Sequence, residues 1–115
     1  MSDKIKIGAK GEKLAATYLQ NKGYKIVTLN YRYKHSEIDI IAQNENIVVF
    51  VEVKTRSSKN FGNPEEAVND KKERKVIEGA ENYIFENNWQ GRIRFDIIAI
   101  DLKTDEIIHF EDAFG

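Results

Sequence analysis

Two apolar runs separated by a short polar break occupy Ser36 to Arg56, reading S-E-I-D-I-I-A-Q-N-E-N-I-V-V-F-V-E-V-K-T-R. Their period-two alternation predicts two strands. In the first run Glu37, Asp39 and Ile41 share one face, with Ile38, Ile40 and Ala42 on the other. In the second, Val48, Phe50, Glu52, Lys54 and Arg56 fall together, opposite Val49, Val51, Val53 and Thr55. The break Gln43-Asn44-Glu45-Asn46 is turn chemistry, because Asn tolerates left-handed angles and bonds its own chain. Pairing Ala42 with Ile47 closes an antiparallel hairpin in which Asp39 faces Phe50 and Glu37 faces Glu52. Asp39 and Glu52 are then diagonal neighbours on a face that also carries Glu37 and Lys54.

Upstream, Gly8, Gly11, Leu14, Ala15, Tyr18 and Leu19 recur at helical spacing, which predicts a helix over 8–22 ended by Gly23. A strand over 24–33 follows. Beyond the hairpin and a polar loop, Asn63 as N-cap, Pro64 at the first helical position and Glu66 form a helix start. The helix runs over 64–86 with a stripe of Val68, Val76, Gly79, Ala80, Tyr83 and Ile84, closed by Asn87 and Asn88. Strands over 92–101 and 107–110 complete the chain, with a turn at 103–106. The predicted order is α-β-β-β-α-β-β, one α/β domain over residues 1–115.

Composition narrows the chemistry. With 115 residues, 41% hydrophobic and 32% charged, the chain has an ordinary globular balance. A net charge of −1 gives no global field for nucleic acid, so any such binding uses a local patch. The absence of cysteine excludes disulfides and thiolate-held zinc or iron–sulfur clusters. His35 and His109 show no ligand spacing and are expected at the surface, at strand ends. No apolar leader or membrane-length run is present, so a cytoplasmic protein is expected.

Several carboxylates on one strand face repel unless compensated, and a divalent cation with oxygen ligands compensates them. Lys54, two residues beyond Glu52, then stands beside the ion, where it can position a water or stabilise developing phosphorane charge. A charged sheet face screened by Lys54 explains the same pattern. Glu12 lies at the edge of the first helix's stripe and reads either as a first-turn residue favoured by the helix dipole or as a further carboxylate aimed at the hairpin. Lys72 projects into the second helix's stripe, where its stem snorkels or its head meets an anion. Asn30-Tyr31-Arg32-Tyr33-Lys34 interleaves bases with aromatics and can track phosphates, although strand tyrosines are usually packing residues. The run Asp70 to Lys75 reads mostly as a solvated face, and Asp96 as a buried hydrogen-bonding residue rather than a ligand.

G-x-x-G-E-x-x-A-x-x-Y-L at Gly8–Leu19, E-I-D-I-I at Glu37–Ile41, F-V-E-V-K-T-R at Phe50–Arg56, R-F-D-I-I at Arg94–Ile98 and D-A-F at Asp112–Phe114 resemble the YraN-type family of small bacterial proteins. That family is similar to the PD-(D/E)XK nuclease superfamily, especially its Holliday-junction-resolvase-like members. The resemblance implies a restriction-endonuclease-like core, a mixed β-sheet flanked by helices, and a magnesium- or manganese-dependent endonuclease cleaving DNA, including branched or structured DNA. Asp39, the Glu52 carboxylate and the Val53 carbonyl would match the metal ligands, and Lys54 the catalytic lysine. Glu12 would match a first-helix glutamate and Lys72 a second-helix lysine facing the site, with Glu37 in support. Arg56, Lys72, Arg32, Lys34 and Lys59 are expected to contact nucleic acid. Ser36 departs from the family's usual glycine before the E-I-D segment. A non-catalytic nucleic-acid-binding or scaffold protein, an RNA substrate and a homodimer all stay open.

Overall fold

The computed structural model describes residues 3–56 and 70–115, with side chains from residue 9 onward. The elements are α1 (Asp3–Asn21), β1 (Lys25–Tyr33), β2 (Ser36–Asn44), β3 (Ile47–Arg56), α2 (Asp70–Asn87), β4 (Arg92–Asp101) and β5 (Glu106–Phe110). This is the expected α-β-β-β-α-β-β order. Asn63, Pro64, Glu66, Val68 and Lys59 lie outside the described residues. The five strands form one mixed sheet in the order β1-β2-β3-β4-β5, in which only β3 and β4 run parallel, as their connection through α2 requires.

The sheet has a helix on each face because β3 is apolar on both. Val49 and Val51 pack with Ala15 and Leu19 of α1, while Val48 and Phe50 pack with Val76, Ala80 and Tyr83 of α2. Gly11 brings α1 down onto β3, since a Cβ there would overlap the Thr55 methyl. α1 ends at Asn21, and the chain turns away at Gly23, whose φ of 98° only glycine adopts freely. Gly79 does for α2 what Gly11 does for α1: a Cβ on it would lie 3.3 Å from the Ser36 Cβ. Ser36, buried at that contact, is thus accommodated by a glycine on the facing helix.

Two expectations for the hairpin change. Gln43 and Asn44 continue β2, pairing with Val48 and Ile47, so the turn is only Glu45-Asn46. Ala42 therefore faces Val49, a slip of two residues that keeps the side chains from Ile40 to Asn44 on their expected sides of the β2–β3 ladder. The second change is in β2 itself. Ile40 and Ala42 pack under α1, but Ile38 packs under α2. Alternation breaks at Asp39.

Beyond β3, the sheet is anchored on its α1 side by Asp96, which is fully buried. Its Oδ1 accepts from Arg94 Nε at 2.8 Å and from the Asp112 N–H at 3.0 Å. Its Oδ2 faces Arg94 Nη2 at 2.8 Å and His109 Nε2 at 2.6 Å. Burial alone would raise the Asp96 pKa, but these hydrogen bonds outweigh it and hold the carboxyl below its ordinary range. His109, expected at the surface, has a side chain only 3% exposed, because β5 turns it inward to Asp96 and to Tyr18. The closing D-A-F segment is bound by the same carboxylate, by the Ala113 N–H donating to the Phe95 carbonyl, and by Phe114 against the Phe95 ring.

The close approach at Gly11 makes a prediction. Gly11→Ala should gain helix propensity yet lose stability by about 1–3 kcal/mol through overpacking. Thr55→Ser, which removes the opposing methyl, should restore most of the loss when combined with it. Denaturant unfolding of the two single variants and the double variant measures this coupling.

Candidate active site

β2 and β3 pair as far as the rung Ile40–Val51. The same register carried one step further would set Asp39 opposite Glu52 rather than diagonal to it, and there the ladder gives way to a side chain. The Val53 N–H donates to Asp39 Oδ2 at 2.8 Å. In an extended strand one residue's N–H and C=O point to the same side, so the Val53 carbonyl faces the same gap.

Glu52 lies beside Asp39 on the α2 side of β3. It is 0% exposed, and no main-chain N–H of the described residues donates to either of its oxygens. Lys72 Nζ stands 3.3 Å from its Oε2. Burial, reinforced by the Asp39 charge, pushes the Glu52 carboxyl up to about 8, with Lys72 pulling the other way. Burial works against the Lys72 ammonium too, but Glu52 and Asp39 outweigh it and hold its pKa above the ordinary value. Lys72 therefore meets an anion, and that anion is Glu52. Lys54 is half-buried, and its pKa is depressed first by burial and then by Lys72.

Glu12 sits mid-helix in α1, which begins at Asp3, so the helix dipole does not account for it. Burial raises its pKa, Asp39 and Glu37 add to the effect, and the Asn30 amide pulls it back. It faces the Asp39 side of the gap. Glu37 is exposed and pairs with Arg32 at 3.2 Å.

The oxygens present suit a hard cation. Asp39, Glu52 and the Val53 carbonyl make an all-oxygen set, and the buried Glu52 carboxylate, balanced only by Lys72 near one oxygen, is the under-satisfied group such an ion relieves. Among the described residues no three His, Cys, Asp or Glu side chains form a metal cluster. The protein's share is two carboxylates and a carbonyl, which leaves several positions to water, as magnesium prefers.

The expected nucleic-acid residues separate. Arg56 donates to its neighbouring Thr55 carbonyl near the end of β3, and Lys34 lies over the Tyr33 ring in the β1–β2 turn. Tyr31 is a packing residue: its ring meets Tyr83 edge-on, and its hydroxyl donates to Glu86 and accepts from Asn82. Most of the run Asp70 to Lys75 is exposed, as a solvated face is expected to be. Lys71, Lys72 and Lys75 line an open groove of about 330 Å³ with His35, Glu37 and Val76, between the β1–β2 turn and α2, which shares Lys72 with the site. The helical spacing of those lysines was visible in the sequence, but the turn that forms the opposite wall was not.

A family model described as "Uncharacterised protein family UPF0102" matches residues 11–100. The chain belongs to UPF0102. Similar UPF0102 proteins come from Sulfurihydrogenibium sp. (48% identical, covering 98% of this chain and 97% of the relative) and Flavobacterium psychrophilum (46%, covering 99% and 98%). One from Alkaliphilus oremlandii is 49% identical over 95% of this chain and 97% of its own length. Among solved structures, SfsA of Pyrococcus furiosus in complex with Ca2+ overlays 95% of this chain and 64% of its own, at 16% identity and a TM-score of 0.37. That overlay is too loose to bear on the site. The UPF0102 match spans Glu12, Asp39, Glu52, Lys54 and Lys72. No helix among the described residues is long and apolar enough to cross a membrane.

Glu52 sets a pH dependence. A carboxyl whose folded pKa is raised stabilises the fold below its unfolded value, and the contribution is lost as pH rises through the folded value. Metal-free protein should therefore lose stability between about pH 5 and pH 8, the window that the Glu52 shift spans. The Lys72 head is 42% exposed and screened, so it offsets the buried charge only in part. Glu52→Gln should flatten the melting-temperature profile and melt at least about 5 °C above the parent at pH 8 in chelator. A parent that melts higher than the variant at pH 8 would mean the Lys72 ion pair outweighs desolvation.

Proposed function

We propose that this protein is a metal-dependent endonuclease that hydrolyses phosphodiester bonds in DNA, working in the cytoplasm. The observation that carries the reading is Glu52: wholly buried beside Asp39 where the sheet opens, with no main-chain donor on either oxygen and only the Lys72 ammonium, 3.3 Å from one of them, to balance its charge. Asp39, Glu52 and the Val53 carbonyl would hold magnesium or manganese. Bound there, the cation would supply Lewis acidity, offsetting charge at the scissile phosphate and lowering the pKa of water.

The chain's own residues do the rest. Lys54, on the same strand face as Glu52, orients the attacking water and meets charge as it grows on the phosphate oxygens. Its depressed pKa brings proton exchange with that water closer to neutral pH. Lys72 compensates Glu52 while no cation does so. Once Glu52 is otherwise neutralised, Lys72 turns to the groove, where Lys71, Lys75 and His35 line the path of a phosphate backbone. Arg32 and Lys34, at the β1–β2 turn, extend that path, and Arg56 at the end of β3 is a further phosphate contact. The groove is short and the net charge near zero, which fits a substrate recognised by its shape, such as branched DNA. Glu12, near Asp39, supports the ligand side of the site. A second reading, a non-catalytic nucleic-acid binder, draws on the Lys72–Glu52 pair, which compensates the buried carboxylate without any ion.

Two measurements separate these readings. Calorimetric titration with Mn2+ should show one site in the parent, lost in Asp39→Ala and Glu52→Ala; unchanged affinity in either variant moves the metal elsewhere. Single-turnover cleavage of duplex, flap, single-stranded and four-way DNA, with RNA counterparts, tests the chemistry. Lys54→Ala should bind as the parent does and cleave at least roughly a hundredfold more slowly. Lys71→Ala with Lys75→Ala should weaken binding and flatten its salt dependence, because fewer phosphate contacts release fewer counterions. Binding without cleavage of any substrate would establish the second reading instead.

A further inference from the structure

Asn30 carries no role in the chemistry above, yet its backbone is the most unusual inside any strand. Its φ is 53°, whereas the other positive-φ residues lie in turns or at element ends. A non-glycine residue in the left-handed region is uncommon, and in the middle of a strand it is held only when its surroundings require it.

The register shows what it does. Leu29 pairs with Ile40 and Tyr31 with Ile38, so the rung between them sets Asn30 opposite Asp39. Neither strand keeps its alternation through that rung. On one side Ile40 packs in the α1 cluster, and Leu29 shares its face as its direct partner. On the other, Tyr31 and Ile38 both pack in the α2 cluster. Two residues on, each strand should have returned to the same face, and instead both have crossed the sheet. The hairpin is wrung by half a turn at Asn30–Asp39. Its far half leaves β3 and lies against α2, with Tyr31 on Tyr83 and Ile38 under Gly79. This same departure opens the β3 edge that the Asp39 carboxylate then fills by accepting from Val53.

We infer that Asn30 is the positioning residue of the candidate site: its left-handed backbone turns Asp39 out of the β2 ladder and into the gap beside Glu52. Without that turn, β2 would continue pairing along β3, the Val53 N–H would meet a carbonyl, and Asp39 would point along a regular strand face. Asparagine suits the place because its short polar side chain tolerates left-handed angles. The inference rests on the metal-site reading for its functional meaning, but its structural content stands apart from any ion.

The test uses the Val53 amide as its reporter, in metal-free protein. Asn30→Gly keeps the left-handed backbone without strain, whereas Asn30→Ala disfavours it and Asn30→Val disfavours it further. Hydrogen exchange followed by NMR should find Val53 protected alike in the parent and in Asn30→Gly. In Asn30→Ala, and more so in Asn30→Val, exchange at Val53 should quicken at least tenfold, while Ile98 and Ile100 in β4 exchange at the parent's rate. A general loss of stability would move all three amides together. Mn2+ titration of the same proteins should rank Asn30→Gly with the parent and Asn30→Ala more than tenfold weaker, with no such ranking in an Asp39→Ala background. Equal Val53 protection in folded Asn30→Ala and Asn30→Gly overturns the inference whether or not the metal binds. A parent that binds no Mn2+ overturns the metal site instead, and the exchange rates still decide what Asn30 does.

Discussion

One hydrogen bond, from the Val53 N–H to the Asp39 carboxylate, holds the functional end of this protein together. A buried main-chain donor must find an acceptor, and in a sheet that acceptor is normally the neighbouring strand. Here β2 has turned away, and a side chain supplies the oxygen in its place. The substitution does two things at once. It seals the edge of β3 at the point where the strand would otherwise lack a partner. It also fixes the Asp39 carboxylate beside the buried Glu52. The approach of α1 at Gly11, the packing of α2 over Gly79 and the register of the first hairpin all serve to keep that bond in place.

The sheet contains two fully buried carboxylates, one in each of its parallel strands, and they are opposites. Asp96, on the α1 side, is surrounded by Arg94, His109 and the Asp112 N–H, so its lone pairs are used and its charge is stable. Glu52, on the α2 side, has a half-exposed ammonium near one oxygen and no main-chain donor on either. Equal burial thus hides unequal satisfaction. A carboxylate saturated with donors ties strands and chain end together. One left wanting is held in an unfavourable state by the rest of the fold, which makes sense where a ligand is to complete it.

Much of this was legible from residue order. Alternation located β2 and β3, helical spacing located both helices, and the polarity of one strand face gathered Asp39, Glu52 and Lys54. Asp96 could be read as a buried bonding residue because a lone acid inside an apolar strand needs partners. What escaped has a common cause. The half-turn at Asn30, the inward rotation of His109 and the groove wall supplied by His35 depend on contacts between segments distant in sequence. A periodic pattern describes one strand at a time and assumes that it stays regular. Asn30 breaks that assumption with a single backbone angle, and a two-residue turn in place of a four-residue one slid the hairpin register by an even number. The even slip is why the site's composition could be anticipated although its rungs could not.

The parallel pairing of β3 with β4 has a consequence for how the chain is made. Every residue of the candidate site, from Glu12 to Lys72, precedes Arg92–Asp101, the strand that covers the second edge of β3. During synthesis the most apolar strand of the protein is therefore complete well before its permanent neighbour exists. At roughly 5–20 residues per second this interval lasts on the order of seconds. An unpaired strand of valine and phenylalanine is a template for pairing with another nascent chain. The charges that end the strand, Glu52, Lys54 and Arg56, interrupt such a template at its growing end. The same residues proposed to act on phosphate would then have an earlier task, keeping neighbouring ribosomes' products apart.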